Sequence, residues 1–270
     1  MLKPLGKEEL PEIGLNEDEK IIQENVQRNI RRTLPQVQCW QPQPDVTLLI
    51  AGGGPSLELE LDDLRAKYAD GAKVVSINNT HDWLIERGIN PSLHIMLDAR
   101  DFNSRFVQKP ISSCKYLIAS QCHPSVFDAL EGHDVYLWHP CSTDADVAVL
   151  DAYYLGQYYR VVGGGTVMTR AFTLLQMLGF SKFEVYGFDS CFMNDKHHSY
   201  NQPENDGGEV LNVEVAGRMF KCAHWMYVQA QDFLGTTKAL GQNVDMIVHG
   251  DGLISHLIKT GAQELQQRGN

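Results

Sequence analysis

Two runs of three glycines are the residues of this sequence best suited to hold an anion. Residues 52–56, Gly-Gly-Gly-Pro-Ser, and residues 163–166, Gly-Gly-Gly-Thr, each follow a short apolar run and precede a helical pattern. Glycine lets the backbone approach a ligand closely, and N–H groups at a helix start attract negative charge. Ser56 can cap the first helix, and Arg170, one turn into the second, either reaches a phosphate or lies solvated on the helix surface. We predict that these first and second glycine turns bind phosphate; tight turns without a ligand are the alternative.

Polar side chains follow two further apolar runs. Asn78 and Asn79 carry amides that can pair with a base or a ribose, although Asn79 fits equally as a helix cap. Asp98 and Asp101 enclose Arg100, and two carboxylates at this spacing could hold a divalent metal that bridges phosphates, with the guanidinium as a charge clamp. An ion pair within a loop is the alternative.

A long polar segment, residues 190–212, follows Asp189 and contains the adjacent histidines His197 and His198. A loop of this length in a compact chain is more often functional than not. Imidazole titrates near neutral pH, which suits acid–base catalysis or a phosphate contact. Neighbouring side chains of an extended segment point in different directions, so we expect only one of the two histidines to face the site.

The elements that position these residues alternate between short apolar strands and helical periods from residue 45 onward. Strands are predicted at 46–51, 73–77, 93–97, 115–119, 134–138, 183–187 and 244–248. Apolar strands separated by helices indicate an α/β fold: a Rossmann-like, doubly wound, mostly parallel sheet with helices on both faces. Ligands bind at the carboxyl ends of the strands in such sheets, where the polar residues above would meet.

An N-terminal helical extension and linker, residues 1–44, precedes this domain of residues 45–270. Ile22, Val26 and Ile30 recur at four-residue spacing and give one apolar stripe. We expect the stripe to pack on its own chain or on a second copy, which would make a homo-oligomer.

Composition excludes several classes of protein. The net charge of −11 argues against nucleic-acid binding, but a single nucleotide can still be held by backbone N–H groups. No apolar run approaches the ~20 residues that span a bilayer, and residues 1–9 lack the apolar core of a secretory signal. Six scattered cysteines without CxxC pairs favour reduced thiols in a cytoplasmic protein. The first glycine turn has the spacing of neither a P-loop nor a dinucleotide-binding motif.

The order of these motifs resembles a known family over residues 45–200. Residues 48–57, LLIAGGGPSL, resemble the G-x-G-P-S-L signature of the domain named for the archaeal 6-hydroxymethylpterin diphosphokinase MptE. Residues 76–80 followed by Asp98 resemble its second motif, and GGGTV at 163–167 with YGFD at 186–189 resembles its third. The acidic strand end of the family is usually T-D-L-D-like, from which M-L-D-A-R-D departs here.

The resemblance implies a nucleotide-dependent transferase. In diphosphokinase chemistry, the first expectation, pyrophosphate moves from ATP to a hydroxymethylpterin-like alcohol, with Mg²⁺ on Asp98 and Asp101. The alternative is a glycosyltransferase that uses CMP-activated nonulosonic acids, like flagellar motility accessory factors, with His197 or His198 deprotonating a small-molecule acceptor. A non-catalytic nucleotide-binding protein is the third possibility.

Bacterial lipooligosaccharide sialyltransferases show a weaker resemblance, which implies that their phosphate-binding tyrosine corresponds loosely to Tyr200. The predicted catalytic residues are therefore Asp98, Asp101, Arg100, His197 and His198. The donor is ATP or a CMP-activated sugar. The predicted nucleotide-binding residues are Gly52, Gly53, Gly54, Pro55, Ser56, Asn78, Asn79, Gly163, Gly164, Gly165, Thr166, Asp189 and Tyr200.

Overall fold

A computed structural model of the protein describes residues 17–268. Residues 1–16, on which the signal interpretation and the start of the extension depend, lie outside the described part. The strands are β1 (Thr47–Ala51), β2 (Lys73–Ile77), β3 (Leu93–Met96), β4 (Lys115–Ala119), β5 (Asp134–Trp138), β6 (Lys182–Tyr186), β7 (Val210–Val215), β8 (Arg218–Ala223), β9 (Asp245–Val248) and β10 (Gln266–Arg268). The α-helices are α1 (Glu19–Asn29), α2 (Ser56–Leu59), α3 (Leu61–Ala69), α4 (Thr80–Ile85), α5 (Pro124–Ala129), α6 (Asp144–Tyr154), α7 (Val167–Met177), α8 (His224–Leu240) and α9 (Leu253–Thr260).

The main sheet has seven parallel strands in the order β5-β4-β3-β2-β1-β6-β9, which confirms the predicted Rossmann-like fold. Helices cover both faces of the sheet. Alternate residues of each strand point to opposite sides, so each strand contributes to a core on both faces. Leu48 and Ile50 join the core under α1, α5 and α7, whereas Leu49 and Ala51 join the core under α3 and α4. Strand order reverses between β1 and β6, so a crevice opens at their carboxyl ends.

A small antiparallel sheet, β10-β7-β8, follows the polar segment and was missed from the sequence. The β7–β8 hairpin turns at Ala216 and Gly217, both with positive φ, without the Asn-Gly signal that usually marks a tight hairpin. The predicted loop 190–212 therefore ends at β7, and α8 begins directly after β8, at His224.

The extension packs on its own chain. Ile22, Val26 and Ile30 are buried, so the apolar stripe is not a surface for a second copy. The Asn25 and Asn29 amides, also buried, donate to four backbone carbonyls at residues 99 and 120–122. Helix α1 thus fixes the loops that follow β3 and β4.

All six cysteines are free thiols, as predicted. No helix among residues 17–268 is long and apolar enough to cross a membrane.

His139, directly after β5, makes folding sensitive to acid. It is 1% exposed, and its Nδ1 atom has no hydrogen-bond partner. Burial lowers the pKa of His139 to about 4, because the charged form loses its hydration. As the pH falls, the unfolded chain therefore binds a proton before the folded chain does. Stability is lost as the pH falls below about 6.5, the pKa of histidine in the unfolded chain. At pH 5 this single group should cost about 2 kcal/mol of unfolding free energy.

Urea unfolding of wild type and His139→Phe at pH 7.5 and pH 5 measures this contribution. The phenyl ring keeps the aromatic contacts of His139 with Tyr154 and Tyr158 but cannot titrate. The variant should lose about 2 kcal/mol less than wild type between the two pH values. Equal losses would show that His139 takes up its proton without cost to the fold.

Candidate functional site

A cleft of about 540 Å³ opens where the strand order reverses. The carboxyl ends of β1, β2, β3 and β6, the second glycine turn, the 197–205 segment and the start of α8 line it. The structure thus brings together most of the predicted site residues, namely Gly52, Gly53, Gly54, Asn78, Asn79, Asp98, Arg100, Gly165, Thr166, Asp189, His197, His198 and Tyr200. The predicted residues outside this lining are Pro55, Ser56, Asp101, Gly163 and Gly164.

The first glycine turn is held mainly by its own chain. The Gly54 amide donates to the Gly187 carbonyl over 2.8 Å, and a Cβ on Gly54 would lie 2.8 Å from the same oxygen. The Ser56 amide donates to the Asp189 carboxylate at 2.8 Å, and Ser56 is fully buried, so it does not cap α2 as predicted and its N–H already has an acceptor. Gly52 and Gly54 are needed because the turn lies against the Gly187 carbonyl, directly after β6.

The second glycine turn already holds an anion from its own chain. The Asp232 carboxylate accepts from the Gly165 amide at 2.6 Å and from the Thr169 hydroxyl at 3.0 Å. A Cβ on Gly164 would overlap that carboxylate. Thr166 caps α7 by accepting from the Thr169 amide. A side chain of α8, rather than a ligand, therefore occupies the predicted anion cradle.

Asp189 supports the site from beneath. Its Oδ2 atom accepts the Ser56 amide, and burial raises its pKa to about 6. Asp189 is only 2% exposed, and through its bond to the Ser56 amide it positions the first glycine turn.

Asn78 and Asn79 differ in what they offer a ligand. Asn78 has a φ of 47° and lines the cleft, and its Oδ1 atom is buried without a partner. Asn79 accepts from the Tyr200 hydroxyl and donates to Gln202 at 2.5 Å, and it makes no side-chain cap for α4. Burial keeps the Tyr200 pKa well above its usual value, so the phenol remains a donor. Of these two asparagines, only Asn78 keeps a side-chain oxygen without a hydrogen-bond partner.

Asp98 and Asp101 do not meet as metal ligands. Arg100 binds both carboxylate oxygens of Asp98, with contacts of 2.5–3.1 Å. Asp101 is exposed at the start of a 3-10 helix, Asp101–Val107, outside the cleft. Within residues 17–268, no group of three or more histidine, cysteine or acidic residues could hold a metal. Asp98 and Asp101 therefore do not fit a resident Mg²⁺. Asp98 and Arg100 instead form an ion pair within the loop, which was the alternative prediction.

The two histidines form one hydrogen-bonded chain. His197 Nε2 lies 2.7 Å from the Asp206 carboxylate, and its Nδ1 lies 2.5 Å from Nδ1 of His198. Both line the cleft, so the expectation that only one faces the site is wrong. The Trp225 ring stacks on His198 with centroids 5.9 Å apart. Burial and the neighbouring His197 lower the pKa of His198 to about 3, so it is neutral at physiological pH.

Sequence reasoning missed the wall contributed by α8. Trp225, Gln229 and Asp232 line the cleft from this helix. The sequence offers no motif within this helix, since its lining residues follow ordinary helical spacing.

The family follows from comparison with known proteins. The model for 6-hydroxymethylpterin diphosphokinase MptE-like proteins matches residues 20–195. The chain belongs to this family. This confirms the resemblance seen in the glycine and strand-end motifs, and membership of the MptE-like family supports a transferase. A search of curated proteins gave no match.

Solved structures confirm the fold of this MptE-like protein. The MAf glycosyltransferase from Magnetospirillum magneticum AMB-1 superposes with a TM-score of 0.71 at 18% identity, covering 89% of this chain. The chain corresponds to 37% of that structure. A mammalian sialyltransferase gives a TM-score of 0.40 at 11% identity over 87% of both chains. The same score, at 10% identity over 89% and 91%, is found for a sialyltransferase complex with Gal-β-1-3GalNAc-ortho-nitrophenol. These last two are too distant to support an argument.

Proposed function

We propose that this protein is a glycosyltransferase that moves a sugar from a CMP-activated donor of nonulosonic or sialic acid type to a small-molecule acceptor. The observation that carries the proposal is the chain Asp206–His197–His198, which ends at an imidazole nitrogen in the cleft. Among the described residues, His198 Nε2 has no hydrogen-bond partner.

The hydrogen bonds set the tautomer of His198. A carboxylate only accepts, so His197 Nε2 donates to Asp206. Nδ1 of a neutral His197 then accepts from Nδ1–H of His198, and the lone pair of His198 lies on Nε2. This is how a general base is oriented by a second group in acyl transfer.

In the proposed reaction, His198 Nε2 takes the proton of the acceptor hydroxyl. The acceptor oxygen bonds to the anomeric carbon, the bond from that carbon to the phosphate oxygen breaks, and CMP leaves with the bonding pair. His198 is a weak base in the free protein, but the negative charge of a bound donor raises its pKa. The base therefore gains strength when the donor is in place.

The charges of the cleft favour one phosphate over three. Of the described lining residues, Arg100 is the only lysine or arginine, and Asp98 already pairs with it. The triphosphate of ATP normally requires a metal that bridges its oxygens. Asp98 and Asp101 do not form such a site. Pyrophosphoryl transfer is therefore the second candidate reaction, and the match to a family named for a diphosphokinase is what favours it.

Thermal denaturation with ligands tests the proposal. CMP and CMP-sialic acid should each raise the Tm by about 5 °C at a hundredfold excess over Kd, and EDTA should not weaken the effect. ATP should give no shift, with or without Mg²⁺.

Gly53→Ala is the matched control, because a Cβ there would overlap the Tyr200 phenol and lie 2.9 Å from the His198 ring. It should abolish the shift with CMP. A shift with ATP that requires Mg²⁺ would instead favour the diphosphokinase reaction, and no shift with any nucleotide would remove nucleotide dependence altogether.

A further inference from the structure

We infer that Asp232 selects the transferred group, by accepting a hydrogen bond from one of its hydroxyl or amine groups. The inference rests on the proposed glycosyl transfer. It adds a requirement that the donor sugar, and not only its nucleotide, be recognised by a carboxylate of α8.

The two oxygens of Asp232 have different surroundings. Oδ2 accepts from the Gly165 amide and from the Thr169 hydroxyl, and it fixes the second glycine turn. Oδ1 is buried and has no partner within the described chain, although Asp232 lines the cleft and is only 3% exposed. One oxygen is structural, and the other is left for something that enters the cleft.

The nearest cation does not satisfy this oxygen. Arg170 lies close enough to act on Asp232 electrostatically, but its guanidinium donates to the carbonyls of Gly164, Pro140 and Val161. A buried acceptor without a donor is costly, so such atoms in native proteins usually have a partner in the working state.

The chemistry of Oδ1 defines the group that it accepts. A carboxylate oxygen binds hydrogen-bond donors and repels phosphate oxygens. Asn78 Oδ1 is a second unpartnered acceptor in the lining. A polyhydroxylated sugar supplies several donors to such a wall, whereas a polyphosphate supplies none. The wall therefore fits the sugar part of a nucleotide sugar.

Asp232→Asn isolates the free oxygen. The amide oxygen of asparagine can take the place of Oδ2 and keep both bonds to the second glycine turn, while its NH₂ group replaces Oδ1. Isothermal titration should be performed with two probes, CMP and CMP-sialic acid. We expect the Kd for CMP-sialic acid to rise about tenfold and the Kd for CMP to stay within about threefold, because only the sugar loses a charged acceptor.

Thr169→Val is the control for the structural oxygen. It removes the hydroxyl that donates to Oδ2 and leaves Oδ1 unchanged. It should lower the Tm but keep the ratio of the two Kd values close to that of wild type. If Asp232→Asn likewise weakened both ligands equally, or neither, the selective role would be overturned.

The stability of the ligand-free variant gives a second readout. Since Oδ1 has no hydrogen-bond partner in the free protein and the amide oxygen keeps the bonds of Oδ2, Asp232→Asn should lose only the electrostatic attraction to Arg170, and its Tm should fall by less than about 5 °C. A Tm lower by 5 °C or more, roughly 1–2 kcal/mol in a chain of this size, would show an internal partner and overturn the inference. Wild type that bound neither probe would remove the proposed function and the inference with it, whereas binding of both probes with an unchanged ratio of Kd values in Asp232→Asn would overturn the inference alone.

Discussion

Replacing His198 with glutamine should lower the rate of sugar transfer by about 100-fold to 10,000-fold, the usual contribution of a positioned general base. Glutamine spans a similar distance and keeps polar atoms in the cleft, but its amide cannot accept a proton at neutral pH. CMP should still bind with nearly unchanged Kd, because the variant removes a proton acceptor rather than a wall of the site. The measurement is the initial rate of CMP release, with CMP binding followed separately by titration.

His197→Gln is the matched control for His198→Gln. His197 holds His198 in its tautomer and contacts Asp206, and its own role is orientation. We expect a loss of about tenfold, smaller than that at His198, since second-group effects on an oriented histidine are commonly of this size. Equal rates for wild type and His198→Gln would assign proton removal to another group and leave the histidine chain as a structural feature.

The fold could be predicted because its signals are local. Each of the seven strands of the main sheet is a short apolar run, and the first, residues 47–51, ends in the glycines that begin the first turn. Parallel strands align their carboxyl ends, so residues as distant as Asn78 and His198 were expected at one edge and meet there. The β7–β8 hairpin was missed because its Ala-Gly turn and mixed polar pattern resemble a loop.

The groups that accept hydrogen bonds from the two glycine turns could not be predicted, because they belong to residues far away in the sequence. Asp189 reaches the Ser56 amide across 133 positions of sequence, and Asp232 reaches the Gly165 amide across 67. A glycine triplet before a helix indicates free N–H groups, but not whether a ligand or a buried carboxylate accepts from them. Asp98 shows the same limit, because carboxylates one or two residues from an arginine suit a metal and an ion pair equally well.

Arg170 gives the largest contrast between sequence and structure. A position one turn into α7 suggested a solvated or phosphate-binding side chain, yet Arg170 is 2% exposed. Its guanidinium donates to the carbonyls of Gly164 at 2.6 Å, Val161 at 2.7 Å and Pro140. Burial lowers its pKa to about 10, so it remains charged at neutral pH. The Arg170 side chain thereby links α7 to the second glycine turn and to the segment that precedes it.

Arg170→Met should lower the free energy of unfolding by about 3–5 kcal/mol, since it leaves three buried carbonyls without donors. Methionine fills much of the same volume, so the loss reports hydrogen bonding more than packing. Arg170→Lys keeps the charge but cannot reach three acceptors in the fixed geometry of a guanidinium, and we expect an intermediate loss. Urea unfolding at pH 7.5 measures both.

Ligand binding by the Arg170 variants distinguishes a structural role of this arginine from a role in phosphate binding. If its work is to hold the second glycine turn, Arg170→Lys should weaken CMP and CMP-sialic acid in the same proportion, because the turn carrying Gly165 moves for both ligands. A phosphate-binding arginine would behave differently: Arg170→Met would be nearly as stable as wild type, within about 1 kcal/mol, and would lose CMP affinity directly. Since the guanidinium already donates to three carbonyls, we expect the first result, with Arg100 rather than Arg170 as the arginine that lines the cleft.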